Sequence, residues 1–187
     1  MKPLRSSRCL WLLGLLCLGL AGGGAVAAES PGGAAEYQVK AAFLYNFTKF
    51  TDWPASAFAS TNAPIVIGVV GEDPFGQLLD ETVKGELVRN RPLVVRRLRA
   101  GEDLSACHVL FISRSEKERL PEILNQLQAK PVLTLGDVGG FAEQGGMVNL
   151  LLVQKTVKLE INQAVVETAG LRISAKLLNL ARSVKSK

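Results

Sequence analysis

Residues 147 to 162, Met-Val-Asn-Leu-Leu-Leu-Val-Gln-Lys-Thr-Val-Lys-Leu-Glu-Ile-Asn, constrain the fold more than any other stretch of this 187-residue chain. Met147 to Val153 is an almost unbroken apolar run, which suits a strand covered on both faces, whereas Thr156 to Ile161 alternates and puts Val157, Leu159 and Ile161 on one side. Only Gln154 and Lys155 separate the two, a hairpin-length connection without the Gly or Asn-Gly chemistry that two-residue turns favour. The outward face of the second strand carries Thr156, Lys158, Glu160 and Asn162, and nothing nearby in the sequence covers it. A polar strand of that kind is either defended by its charges or used by a partner.

The amino-terminal residues point to export. Lys2, Arg5 and Arg8 precede an apolar core from Cys9 to Leu20, and small residues follow as far as Ala28, the order of a secretory signal peptide whose core is too short for a stable span. Residues 1–27 are expected to be removed, 28–35 to form a flexible lead-in, and 36–187 to fold as a single domain of sufficient length for a proper core. The expected product is soluble and exported, with no insertion into the membrane once the leader is gone. Losing Lys2, Arg5 and Arg8 but no acid turns 22 basic against 17 acidic residues into 19 against 17. No basic cluster with interleaved aromatics is left to favour nucleic acid. Cys9 and Cys17 leave with the leader, so Cys107 has no intramolecular partner, and beside an apolar strand it reads as a small buried residue.

Along the rest of the chain, strand and helix patterns alternate. Val39, Phe43, Phe47 and Phe50 recur at helical spacing from Glu36 onward, with Trp53-Pro54 as the stop. Ile65–Val70, Leu93–Leu98, Cys107–Ser113 and Pro131–Leu135 read as strands, with helices expected at Phe75–Val83 and after Ser115. Asp73 as N-cap with Pro74 at the first helical position explains the turn after Ile65–Val70, and Ser115 with Glu118 has the spacing of a capping box. Asn162 suits the cap of a helix to Ala169, ended by Gly170, and a last helix is expected from Ser174 with Leu177, Leu180, Ala181 and Val184 inward. The sum is an α/β three-layer sandwich with a mostly parallel, Rossmann-like sheet of five or six strands and a hairpin on its carboxyl-terminal side.

Catalytic chemistry finds little support in this pattern. Cys107 and His108 are adjacent on a strand and point to opposite faces, so they cannot form a nucleophile–base pair, and one His with one mature Cys gives no zinc ligand set. No cofactor-binding fingerprint is present: Gly71–Gly76 lacks the spacing of a dinucleotide loop, Pro74 has no N–H to offer, and Glu72 and Asp73 would repel a phosphate. Glu72 and Asp137 could meet above two strand ends, and Gly139 leaves room for a close approach in the second loop. These loops, with Glu72, Asp73, Asp137 and Gly139, are where a small-molecule sensor or carrier would hold its ligand.

Glu36 to Phe47 running on to Trp53-Pro54, then Gly71–Gly76, Cys107–Ser113, Gly145–Asn149, Glu160–Asn162 and Gly170–Leu178, taken in this order over the mature chain, resemble the YfiR-like family of exported bacterial proteins. The resemblance implies a periplasmic, non-enzymatic α/β protein, often dimeric. The best-understood members of that family bind the periplasmic sensor region of an inner-membrane diguanylate cyclase and hold it inactive, lowering cyclic di-GMP and disfavouring biofilm; for other members the resemblance implies service to a sensor kinase or another membrane receptor. Some relatives carry paired cysteines suited to redox control, whereas this chain has Cys107 alone. Two strands and the following helix bring Val148, Glu160 and Val166 forward as a partner-binding patch, apolar with one carboxylate at its rim. Core burial of both valines is the ordinary alternative.

Overall fold

The structure, a computed structural model, describes residues 31–99 and 101–183, so the expected leader lies outside the described residues. In chain order the elements are α1 (Pro31–Phe50), β1 (Thr51–Asp52), β2 (Ile65–Val70), α2 (Gln77–Val83), β3 (Leu87–Val88), β4 (Arg91–Leu98), β5 (Val109–Ile112), α3 (Leu120–Gln126), β6 (Leu133–Gly136), β7 (Val148–Val153), β8 (Thr156–Ile161), α4 (Gln163–Thr168), β9 (Arg172–Ile173), α5 (Ala175–Leu178) and β10 (Ala181–Ser183). Eight strands form one mixed sheet in the order β10-β8-β7-β6-β5-β2-β4-β3, and β1 pairs with β9 apart from it. The central strands β4, β2, β5, β6 and β7 are parallel. Two short strands at opposite edges, β3 and β10, raise the count above the expected five or six.

Two hydrophobic cores flank the sheet and make three layers, as the alternation of strand and helix patterns implies. On one face, Ala41, Leu44 and Phe47 of α1, Leu79 and Val83 of α2, Val166 of α4 and Leu177 of α5 pack on Ile67, Val109, Leu135, Val148 and Ile161. On the other, Leu120 and Ile123 of α3, with Leu127 and Phe141, pack on Val70, Leu98, Leu110 and Ile112. The hairpin forms in the expected register, Val153 opposite Thr156. Gln154 and Lys155 both have positive φ, 49° and 63°, so this turn adopts the primed geometry that matches strand twist although neither residue is Gly or Asn.

Several local expectations yield to tertiary contacts. Helix α1 begins at Pro31, inside the stretch expected as a flexible lead-in, with proline tolerated in the first turn. Its buried face is Lys40, Ala41, Leu44, Phe47 and Thr48, while Val39 is 45% exposed, so the inward stripe is rotated from the expected one. Asp73 does form a local turn, accepting the Phe75 N–H at 2.8 Å, yet α2 starts later, after Gly76. Ser115 accepts the Glu72 N–H at 2.9 Å and caps no helix; a 3-10 segment, Arg114–Arg119, precedes α3, which has Pro121 in its first turn. The final helix is cut to four residues, capped by Ser174, because Ala181–Ser183 instead pair with Leu159–Ile161 as the edge strand β10. Val184 lies outside the described residues. Asn162 caps α4 as expected, accepting the Val165 N–H at 3.3 Å, and being fully buried it takes no part in an outward polar face.

His108 shows how the strand-start end of the sheet is closed. Its Nδ1 accepts the Val66 N–H at 3.1 Å, which fixes the neutral tautomer with Nε2 donating to the Ala57 carbonyl at 3.1 Å. The ring stacks on Phe58, and the Arg91 guanidinium lies over the other aromatic while donating to the Ser60 and Ala63 carbonyls. Burial, with the Arg91 charge adding to it, holds the imidazole below its ordinary value. A His with a lowered folded value binds its proton more readily when unfolded, so stability is full above the unfolded value of about 6.5 and falls as pH drops below it. Urea midpoints should decline through that window in the wild type, and the slope should flatten in His108→Gln; an equal slope in the variant would assign the acid sensitivity elsewhere.

Candidate functional site

The carboxyl ends of the parallel strands carry the chain's buried charges. The chain places β4 on one side of β2 and β5 on the other, so the direction of winding reverses between β2 and β5, the point where open α/β sheets leave a crevice. Asp137 follows the end of β6, Arg114 follows β5, and Glu36, Tyr37 and Lys40 reach the same place from α1. Lys40 is fully buried and bridges Glu36 and Asp137, its Nζ 2.6 Å from Asp137 Oδ2. The same carboxylate oxygen accepts from the Tyr37 hydroxyl at 2.9 Å and lies 3.1 Å from Arg114 Nε. Arg114 also pairs with Glu36 at 3.1 Å, and its outer part is open to solvent. Burial and then the Asp137 charge hold the Tyr37 phenol above its ordinary range, so it remains a hydrogen-bond donor.

Two carboxylates and two cations balance in this cluster: Lys40–Asp137 and Arg114–Glu36 join α1 to the loops beyond β6 and β5, Lys40–Glu36 stays within α1, and Arg114–Asp137 ties the two loops together. Its evident work is to fix the first half of α1 over the strand ends. Asp137 Oδ1 is buried there without a donor among the described residues. Sequence reasoning singled out Asp137 and missed Lys40, Tyr37 and Arg114; the Glu36–Lys40 spacing of four on a helix was the available signal.

Of the other residues in these loops, Asp73 has its carboxylate engaged within the protein. Asp73 Oδ2 accepts from Arg97 Nε at 2.9 Å, and Arg97 also makes paired bonds to Asp80. Glu72 contributes its backbone N–H to Ser115, and the partners of Asp137 are Lys40, Tyr37 and Arg114 rather than Glu72. Open space surrounds Gly139, so no close approach of a neighbour requires it to be glycine. Burial pushes the Cys107 thiol up to about 11, which leaves it protonated and unreactive at neutral pH.

Val148, Glu160 and Val166 do not share one surface. Val148 and Val166 lie together in the first core, 0% and 2% exposed. Glu160 stands opposite Asn149, one residue along from Val148, and neighbouring residues on a strand point to opposite faces. It therefore lies on the side of the sheet covered elsewhere by α3. No β7 or β8 residue joins that second core among the described residues, so the hairpin's Thr156, Lys158 and Glu160 form an uncovered polar face. Glu160 is half-buried and accepts from the Asn149 side-chain amide at 3.3 Å, while Arg182 stands beside it on β10 and is exposed.

These features define a three-layer α/β protein with a reversal of winding at β2/β5 and a carboxyl-terminal hairpin lying outside the second helical layer. The chain matches the YfiR/HmsC-like family over residues 37–182 and belongs to it. Members of that family are periplasmic regulatory proteins. No helix among the described residues is long and apolar enough to cross a membrane. Among solved structures, the chain is similar to an ABC domain in complex with L-Trp from Streptococcus pneumonia, at 11% identity and a TM-score of 0.50, with 81% of this chain covered. That likeness is one of fold, and this chain spans 60% of the other's length. A comparison with curated proteins gives no match.

Proposed function

We propose that this protein is a periplasmic regulator that binds the periplasmic sensor region of an inner-membrane diguanylate cyclase and represses it, lowering cyclic di-GMP signalling. Membership of the YfiR/HmsC-like family supports the regulatory role. The observation that carries the docking surface is the hairpin face around Glu160. This carboxylate is half-buried, its recorded partner is an uncharged amide, and it is flanked by the exposed Lys158 and Arg182. A partner that supplies a cation or N–H donor to Glu160 adds a charge-assisted bond without breaking an ion pair inside the protein. Val148 and Val166 support that face from within the core and touch no partner.

Affinity capture with the mature chain from solubilised inner membranes should return a diguanylate cyclase, and adding the chain to vesicles holding that cyclase should lower its cyclic di-GMP output. Glu160→Lys is expected to weaken capture by about tenfold or more, the loss of roughly 1.4 kcal/mol or more, with a nearly unchanged melting temperature. Capture of no cyclase, or an output indifferent to the wild-type chain, overturns the assignment; wild-type affinity in Glu160→Lys removes only the docking surface.

A further inference from the structure

At the other end of β6 from the paired charges, a cleft of about 420 Å³ opens between α3 and α4 where β6 and β7 begin. Thr134 and Met147 line it from the sheet, and Leu124, Leu127 and Val165 line it from the flanking segments. None of the lining residues carries a charge. The volume falls in the span of roughly 300–1,000 Å³ that small-molecule sites occupy.

Thr134 adds an independent observation. It is 2% exposed, and its Oγ1 accepts the Met147 N–H at 3.1 Å. Among the described residues its own hydroxyl hydrogen finds no acceptor, and a buried donor left in that state is unfavourable until something accepts from it. We propose that this cleft binds a neutral, mostly apolar small molecule that places one acceptor oxygen on the Thr134 hydroxyl. Apolar surface of the ligand is buried against Leu124, Leu127, Met147 and Val165, and its oxygen completes the hydroxyl's bonding. A carboxylate or ammonium group is rejected, because it would give up water and meet no opposite charge. The site stands apart from the Glu160 face and does not depend on the partner proposed for it.

Four probes of similar size separate these contributions: acetophenone, neutral with an acceptor; ethylbenzene, neutral without one; benzoate; and benzylammonium. Titrated into the isotope-labelled mature chain, acetophenone should give saturable backbone shift changes centred on Leu124, Thr134, Met147 and Val165. Ethylbenzene should bind about fivefold more weakly and the two ions at least about tenfold more weakly. Ala164 lies on the exposed side of α4 at the cleft, so Ala164→Phe fills the space without entering the core and should abolish the acetophenone response. Thr134→Val should bring acetophenone down to the affinity of ethylbenzene; should that variant fail to fold, the difference between those two probes in the wild type reads the same contact. Absence of saturation, equal binding of the ions, or an undiminished response in Ala164→Phe overturns the proposal. So does movement of the same resonances with protein concentration alone, which assigns the cleft to contact between copies of the chain.

Discussion

Lys40→Met is expected to lower the stability of the folded protein by about 3–5 kcal/mol, read as a drop in urea midpoint at constant slope. Methionine nearly matches the lysine stem in volume, so the loss comes from charge rather than from a cavity. Lys40 is fully buried and bridges Glu36 and Asp137, whose side chains are 9% and 1% exposed. Without it, Arg114 alone faces both carboxylates, and Arg114 is 54% open to water. Removing one partner of a buried ion pair leaves an uncompensated charge, whereas replacing both partners with apolar groups can be close to neutral. Lys40→Met with Asp137→Leu should therefore be more stable than the sum of the two single losses predicts. Strict additivity would mean that Lys40 and Asp137 are not coupled.

The same residue marks where the sequence misleads. Read locally, Lys40 belongs on the flank of an aromatic stripe through Val39, Phe43, Phe47 and Phe50. Its partner Asp137 is 97 positions away, in a glycine-rich loop that nothing in the sequence ties to α1. Only a tertiary contact can turn a lysine inward, and that contact rotates the whole buried face of α1. Ser115 is a similar case: its spacing to Glu118 suits a capping box, but the hydroxyl is taken by the Glu72 N–H across the sheet end. The last helix fails for another reason. Leu177, Leu180 and Ala181 fit helical spacing, yet the free edge of β8 offers Ala181–Ser183 a ladder of backbone bonds, and Leu180 is left 67% exposed.

Where local chemistry and burial agree, the sequence is a sound guide. The apolar runs at Ile65–Val70 and Val109–Ile112 are central strands, Asn162 caps α4, and Gly170 takes the positive φ of 71° that ends it. The hairpin was legible from its two hydrophobic periods despite an unhelpful turn. Grouping Glu160 with Val148 and Val166 on one surface fails. Proximity along adjoining elements suggested one patch, and the alternation of side chains across the sheet divides it between two faces.

The loop between β6 and β7 offers a second large effect, and a way to ask whether the core supports the docking face. Phe141 is fully buried in the second core, with its ring pressed against Gly136 on one side and Gly146 on the other. A Cβ at either glycine would lie well inside contact distance of the ring, and neither glycine has a positive φ, so the need for glycine there is one of space. Phe141→Ala is expected to cost about 3–5 kcal/mol through lost burial and the cavity left behind. Gly146→Ala should cost about 1–3 kcal/mol by overpacking, and Phe141→Leu should relieve part of that loss when combined with it. The loop anchored by this ring also receives two buried amides: Asn149 donates to the Val138 carbonyl and Asn162 to the Ala142 carbonyl, each at 2.9 Å. Asn149 is in turn the residue that holds Glu160. Emptying the Phe141 socket should therefore shift the backbone resonances of Asn149 and Glu160 and weaken capture of the membrane partner, although Phe141 itself never reaches the surface. Lost stability with those resonances and the affinity unmoved would show that the hairpin positions Glu160 without help from the loop.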